Sequence, residues 1–138
     1  MTQLHPYLTF NGNCKEAMQF YNGIFGGTLQ LQTIGESPLS EKLPVSMKNC
    51  ILHASLSSEL VLIMGSDMVG NNGWIKGTNV SIAVNCTSRE DIKKLYSRLS
   101  RGGHQDHPLE KTFWGAVFGD LTDRFGVHWL LNYTSTNE

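Results

Sequence analysis

The chain has 138 residues, a formal net charge of −1 and a hydrophobic share of 40%, which suits one compact domain or two fused half-domains around a real core. Without a run of like charges it lacks the basic surface that nucleic acid or anionic lipid demands. No apolar run approaches the roughly 18 residues of a membrane span, and the first residues lack a signal-peptide core, so a cytoplasmic protein is expected.

Leu4–Phe10 alternates as a strand, and Asn11-Gly12-Asn13 is turn chemistry with Asn13 as the expected N-cap. The helix that follows carries Cys14, Ala17, Met18, Tyr21, Ile24 and Phe25 as one apolar stripe, and Gly26-Gly27 ends it. Thr28–Gly35 reads as a second strand and Glu36–Lys48, with two prolines, as a loop. Cys50–Ser57 and Leu60–Gly65 read as a hairpin. Gly70-Asn71-Asn72-Gly73 is the strongest linker signal, so 1–66 is expected as module one, 67–77 as linker and 78–138 as module two.

The second module opens on the strand Asn79–Asn85. Thr87-Ser88-Arg89-Glu90 is a capping-box pattern, Ile92, Leu95, Tyr96 and Leu99 form the next stripe, and Gly102-Gly103 stops it. His104–Lys111, Trp114–Leu121 and Val127–Asn132 read as three strands, with a tight turn at Asp123-Arg124-Phe125-Gly126. Strand, helix and three strands therefore occur twice, which predicts an α+β fold of two similar halves around a pocket.

The cysteines, Cys14, Cys50 and Cys86, are widely spaced and form no CxxC pair, so reduced, mostly buried thiols are expected. Cys14 stands near a helix start, where a thiol can be activated. No P-loop, dinucleotide fingerprint, GxSxG or HExxH motif occurs, and the glycine pairs follow helices rather than opening them.

Pro6-Tyr7-Leu8-x-Phe10-x-Gly12-Asn13-Cys14, Glu16-Ala17-Met18-x-Phe20-Tyr21 and Phe25-Gly26-Gly27 resemble the opening of PhnB-like proteins of the vicinal oxygen chelate superfamily. That superfamily also holds glyoxalase I, bleomycin-resistance proteins and extradiol dioxygenases. Thr112-Phe113-Trp114-Gly115 and Thr122-Asp123-x-Phe125-Gly126-x-x-Trp129 resemble its closing motifs. The resemblance covers nearly the whole chain. It implies two βαβββ modules forming curved mixed sheets around a pocket, usually completed as a homodimer.

In metal-dependent relatives, side chains on the first and fourth strands of each module hold a divalent ion that acts as a Lewis acid. Those positions fall here on His5, on Leu62 or Met64, on Asn79 or Ser81, and on Leu130, where the relatives carry glutamate. Only His5 is a strong donor, so no metal and no other cofactor is expected. The aliphatic replacements point to a small organic ligand in an apolar pocket lined by His5, His53, Leu62, Met64, Ser81, Trp114, His128 and Leu130. The alternative is an enzyme of the superfamily, of lyase, isomerase or dioxygenase type, using His5 or His53 as base or metal ligand.

His5 fits a hydrogen-bonded pocket histidine or a frayed strand start, and His53 a general base or a histidine turned elsewhere. His128 shares a face with Leu130 and is expected at the pocket mouth, meeting an anion or water. Trp129 is expected in the core under a helix, and Trp114 in the pocket or the dimer interface. His104 and His107, three apart on a strand, are expected on opposite faces, without a shared metal.

Overall fold

Two strips of apolar side chains, one per helix, organise the chain into two sheets. The computed structural model describes residues 2–59 and 61–134. Its elements are β1 (Tyr7–Thr9), α1 (Cys14–Phe25), β2 (Thr28–Thr33), β3 (Ile51–Ser57), β4 (Leu62–Ser66), β5 (Ile82–Cys86), α2 (Arg89–Leu99), β6 (His104–Lys111), β7 (Ala116–Thr122) and β8 (His128–Thr134). The two sheets have the orders β1-β4-β3-β2 and β5-β8-β7-β6. In each, the first strand lies parallel to the last and the remaining pairs are antiparallel. This is the α+β, glyoxalase/bleomycin-resistance-like fold. The chain divides into the units Met1–Ile75 and Lys76–Glu138.

The element order matches the expectation, and several ends differ. The first strand starts at Tyr7, so His5 precedes it, although pairing continues one step as Met64 N–H donates to the Pro6 carbonyl. The strand expected from Asn79 starts at Ile82, leaving Ser81 just outside it. Trp114 lies in the turn between β6 and β7 rather than on a strand. The loop after β2 holds short 3-10 turns at Ile34–Glu36, Pro38–Glu41 and Val45–Met47. Leu60, expected to begin a strand, lies outside the described residues.

The helix stripes are the core. Cys14, Ala17, Met18 and Tyr21 of α1 are fully buried, as are Ala54 and Leu56 of β3, while Ile92 and Leu99 of α2 are buried as are Leu121, Trp129 and Leu131. Each large aliphatic or aromatic side chain so buried contributes about 1.5–3 kcal/mol. Gly27 follows α1 with φ +96°, and a Cβ there would lie 2.6 Å from the Ser57 carbonyl, so only glycine permits the turn into β2.

The start of α1 is secured differently from the expectation. Asn13 makes no side-chain cap. Instead Asp67, just beyond β4, accepts from Gly12 N–H at 3.0 Å and Cys14 N–H at 2.9 Å through one oxygen, and from Ile51 N–H at 2.8 Å through the other. A buried carboxylate thus ties the helix start to the start of β3. In the second unit the N-cap falls one residue later than the Thr87 of the expected capping box: Ser88 is the N-cap and accepts from Asp91 N–H at 3.0 Å. Asp123 plays a part comparable to that of Asp67. One oxygen accepts from Phe125 N–H (2.8 Å) and Val127 N–H (3.1 Å), the other from the Trp129 indole (2.9 Å).

Cys14 is inert by the same construction. Burial, and then the nearby Asp67 charge, push its thiol up to about 12. Burial, then Asp91, push Cys86 up to about 11. Neither thiol forms appreciable thiolate near neutrality. With native protein and iodoacetamide at about pH 8, where a thiol near 12 is about one part in ten thousand thiolate, Cys14 and Cys86 should stay unlabelled in peptide mass spectrometry. Half-buried Cys50 should carry the label. Replacing Asp67 with alanine leaves three backbone donors unpaired, and urea denaturation should show a loss of about 2–4 kcal/mol.

Candidate functional site

Strand alternation in the second unit separates two faces. On β7 and β8, Leu121, Trp129 and Leu131 turn toward α2 and are buried. Asp120 and Thr122 of β7 pair with Leu130 and His128 of β8, so all four share the opposite face. On β6 the register places His104 opposite Thr122 and His107 opposite Asp120, with a bulge between Gln105 and His107. The extra residue moves His107 onto the face of His104, which corrects the expectation of opposite faces. Tyr96 of α2 supports this point from behind: its hydroxyl lies 2.8 Å from the His107 carbonyl and 3.2 Å from that of Asp120. Burial, then the Asp120 and Asp106 charges, raise the Tyr96 pKa and keep it a donor.

On that face a polar network runs across β6, β7 and β8 to Ser81, just outside β5. His107 Nδ1 lies 2.6 Å from Asp120 Oδ1, and His128 Nε2 lies 3.0 Å from Asp120 Oδ2. His128 Nδ1 is hydrogen-bonded to the Ser81 hydroxyl. Asp106 Oδ2 accepts from the Thr122 hydroxyl at 2.7 Å and stands 3.6 Å from His128 Nε2, while His104 Nδ1 is 3.2 Å from Asp106 Oδ1. The Asp120 side chain is 12% exposed and that of His128 30%. Desolvation of Asp120 is therefore offset by an imidazole at each oxygen.

Beside this network opens a cavity of about 560 Å³, lined by His107, Pro108, Glu110, Lys111, Thr112, Phe113, Trp114, Phe118 and Asp120. Phe113 and Trp114 meet edge to face at 4.8 Å in the β6–β7 turn and are exposed. Trp129 is core, as expected.

The other sequence-predicted residues fall as follows. His53 is exposed on β3, its ring 6.0 Å from that of Tyr7. Ser55 pairs with Met64 and Ser57 with Leu62, so His53, Leu62 and Met64 share the face of the first sheet turned away from Ala54 and Leu56. His5 lies before β1 and is 3.1 Å from the Gln3 side-chain oxygen. His128, expected to meet an anion or water, is engaged at both nitrogens and faces two carboxylates, which suits a cation better than an anion.

Several of the positions implied to hold an ion carry poor donors. Leu130 and Leu62 have no lone pair to offer, Met64 only a thioether, and Ser81 is committed to His128. Sequence reasoning missed Asp106 and Asp120. Their signal was present: one acid in the apolar strand Ala116-Val117-Phe118-Gly119-Asp120-Leu121, and another between two histidines.

The sequence profile of the 3-demethylubiquinone-9 3-methyltransferase family matches residues 2–132. Protein YjdN of Escherichia coli (strain K12) is 31% identical over 142 residues, covering 94% of this chain and 93% of that protein. The crystal structure of protein PA1353 from Pseudomonas aeruginosa is similar at 38% identity and a TM-score of 0.83, over 97% of this chain and 98% of that one. A PhnB protein from Bacillus cereus is 26% identical with a TM-score of 0.74, over 96% and 100% of the two chains. A glyoxalase-related enzyme from Fulvimarina pelagi, 15% identical with a TM-score of 0.64 over 97% and 89%, shares the fold. The chain belongs to the PhnB-like 3-demethylubiquinone-9 3-methyltransferase family.

Proposed function

We propose that this chain binds a small organic molecule in the cavity of its second unit, with no ion at the positions that hold one in metal-dependent relatives. The observation that carries the reading is the cavity itself. Its volume of about 560 Å³ is of ligand size, and its lining combines Phe113, Trp114, Phe118 and Pro108 with Asp120 and His107. Aromatic walls supply contact area, and the shielded Asp120 carboxylate with the exposed His107 imidazole beside it orients a polar group of the ligand. The two strand-to-helix turns, Asn11–Asn13 and Thr87–Ser88, carry no glycine-rich phosphate or cofactor loop, which favours binding over the methyl transfer in the family's name.

The second reading is an enzyme of lyase, isomerase or dioxygenase type with His53 as general base. It is favoured by one feature: the His53 imidazole stands exposed beside Tyr7. His5, paired with Gln3 ahead of β1, is the weaker base candidate.

In the same reading the chain works as a homodimer in the cytoplasm. Exposed Tyr7 and half-buried Leu62 and Met64 leave one sheet face wanting cover. No helix among the described residues is long and apolar enough to cross a membrane. Sedimentation at micromolar concentration should give a dimer; a monomer overturns this part.

The binding reading is tested by mass spectrometry of co-purified compounds, followed by titration of any hit by thermal shift. Phe118→Ala should weaken the hit about tenfold or more, and His53→Ala should leave it unchanged. Equal affinity in the Phe118 variant would place the ligand elsewhere. Turnover of a hit that disappears with His53→Ala would favour the enzyme.

A further inference from the structure

We infer that Asp106, Asp120 and His128 form a divalent-metal site contained within the second unit, separate from the positions implied by the family resemblance. The inference stands independently of the small-molecule reading. Asp106 Oδ2, Asp120 Oδ2 and His128 Nε2 all lie within 4.8 Å of one another. Donors bound about 2.1 Å from one ion sit about 3.0 Å apart across an octahedral edge and about 3.4 Å apart across a tetrahedral one. The observed separations from His128 Nε2 are 3.0 Å to Asp120 and 3.6 Å to Asp106.

The surroundings orient these atoms from outside the triad. With an ion bound, Nδ1 of His128 would donate to Ser81 and Nε2 would offer its lone pair to the ion, in place of the Nε2–H that meets Asp120 without one. His107 holds the outer oxygen of Asp120 and His104 that of Asp106, so each inner oxygen turns toward the shared point, that of Asp106 also accepting from the Thr122 hydroxyl. Two carboxylates and an imidazole select a divalent transition ion of the zinc, manganese or iron kind over a soft or purely oxygen-seeking one. Three protein donors leave coordination positions open, and Asp120 also borders the cavity.

The test uses the full chain and the metals alone. Equilibrium dialysis or calorimetry with ZnCl₂ and MnCl₂ should give one ion per chain, and Co²⁺ should show a visible absorption band on binding. Asp106→Asn and His128→Gln should each weaken the ion about 100-fold, and Glu16→Gln, on exposed α1 surface, should not. Asp106 is exposed, so its variant tests the site without disturbing the core. No retained ion at about 1 mM metal, or undiminished binding in Asp106→Asn and His128→Gln, overturns the site. Neither result bears on the Phe118→Ala titration, so the two readings fail separately.

Discussion

A carboxylate shielded from water must find donors, and Asp120 is the point around which the second unit's open face is arranged. Its two oxygens meet His107 and His128. Those imidazoles come from different strands, so the demand of one acid fixes the relation of β6, β7 and β8 on that face. The bulge after Gln105 is what brings His107 to it. Without the extra residue, strict alternation would turn the imidazole toward α2, and Asp120 would lose half its partners. The Tyr96 hydroxyl, beneath the carbonyls of His107 and Asp120, holds the same point from the helix side.

Carboxylates play a parallel part at the ends of both sheets. Asp67 gathers backbone donors from the start of α1 and the start of β3. Asp123 gathers those of the turn before β8 and the indole of Trp129. In each case an acid next to a strand end replaces a local cap or turn bond with a link between elements. Asp67 is also the second cause, after burial, of the high Cys14 pKa, so the group that starts the helix helps silence the thiol beside it. A thiol at a helix N-terminus is ordinarily a candidate nucleophile; here the acid that caps the helix removes that option.

Much of this architecture is legible because it rests on local periodicity. Of the two predicted stripes, Cys14, Ala17, Met18 and Tyr21 and then Ile92, Tyr96 and Leu99 are buried as their spacing requires, Ile24, Phe25 and Leu95 are half-buried, and the repeated strand order follows from glycine-marked ends. What escapes is what depends on partners far along the chain. Asn13 is the residue a local rule chooses as cap, yet Asp67 does the capping because β4 brings it alongside. His104 and His107 look opposed only while β6 is taken as regular. Asp120 looks like an ordinary strand acid until its neighbours on two other strands are known. A bulge has no sequence mark as clear as a glycine stop, so the face that carries the polar network was the least readable part.

The same network changes the meaning of the leucine at position 130. The family resemblance places a metal-binding glutamate there, and its loss alone argues for an ion-free face. Yet the residue paired directly opposite Leu130 is Asp120, and side chains so paired stand only about 4.5–5.5 Å apart at Cβ. Likewise the serine at the implied first-strand position is hydrogen-bonded to His128, an imidazole from the adjacent strand. In the second unit, carboxylate and imidazole are thus absent from the implied positions and present one strand to the side, on the same face. Counting ligands position by position treats such a sheet as stripped of donors. Counting them across the face finds a carboxylate–imidazole set displaced by a single strand spacing, beside an aromatic cavity that the implied positions alone would not have suggested.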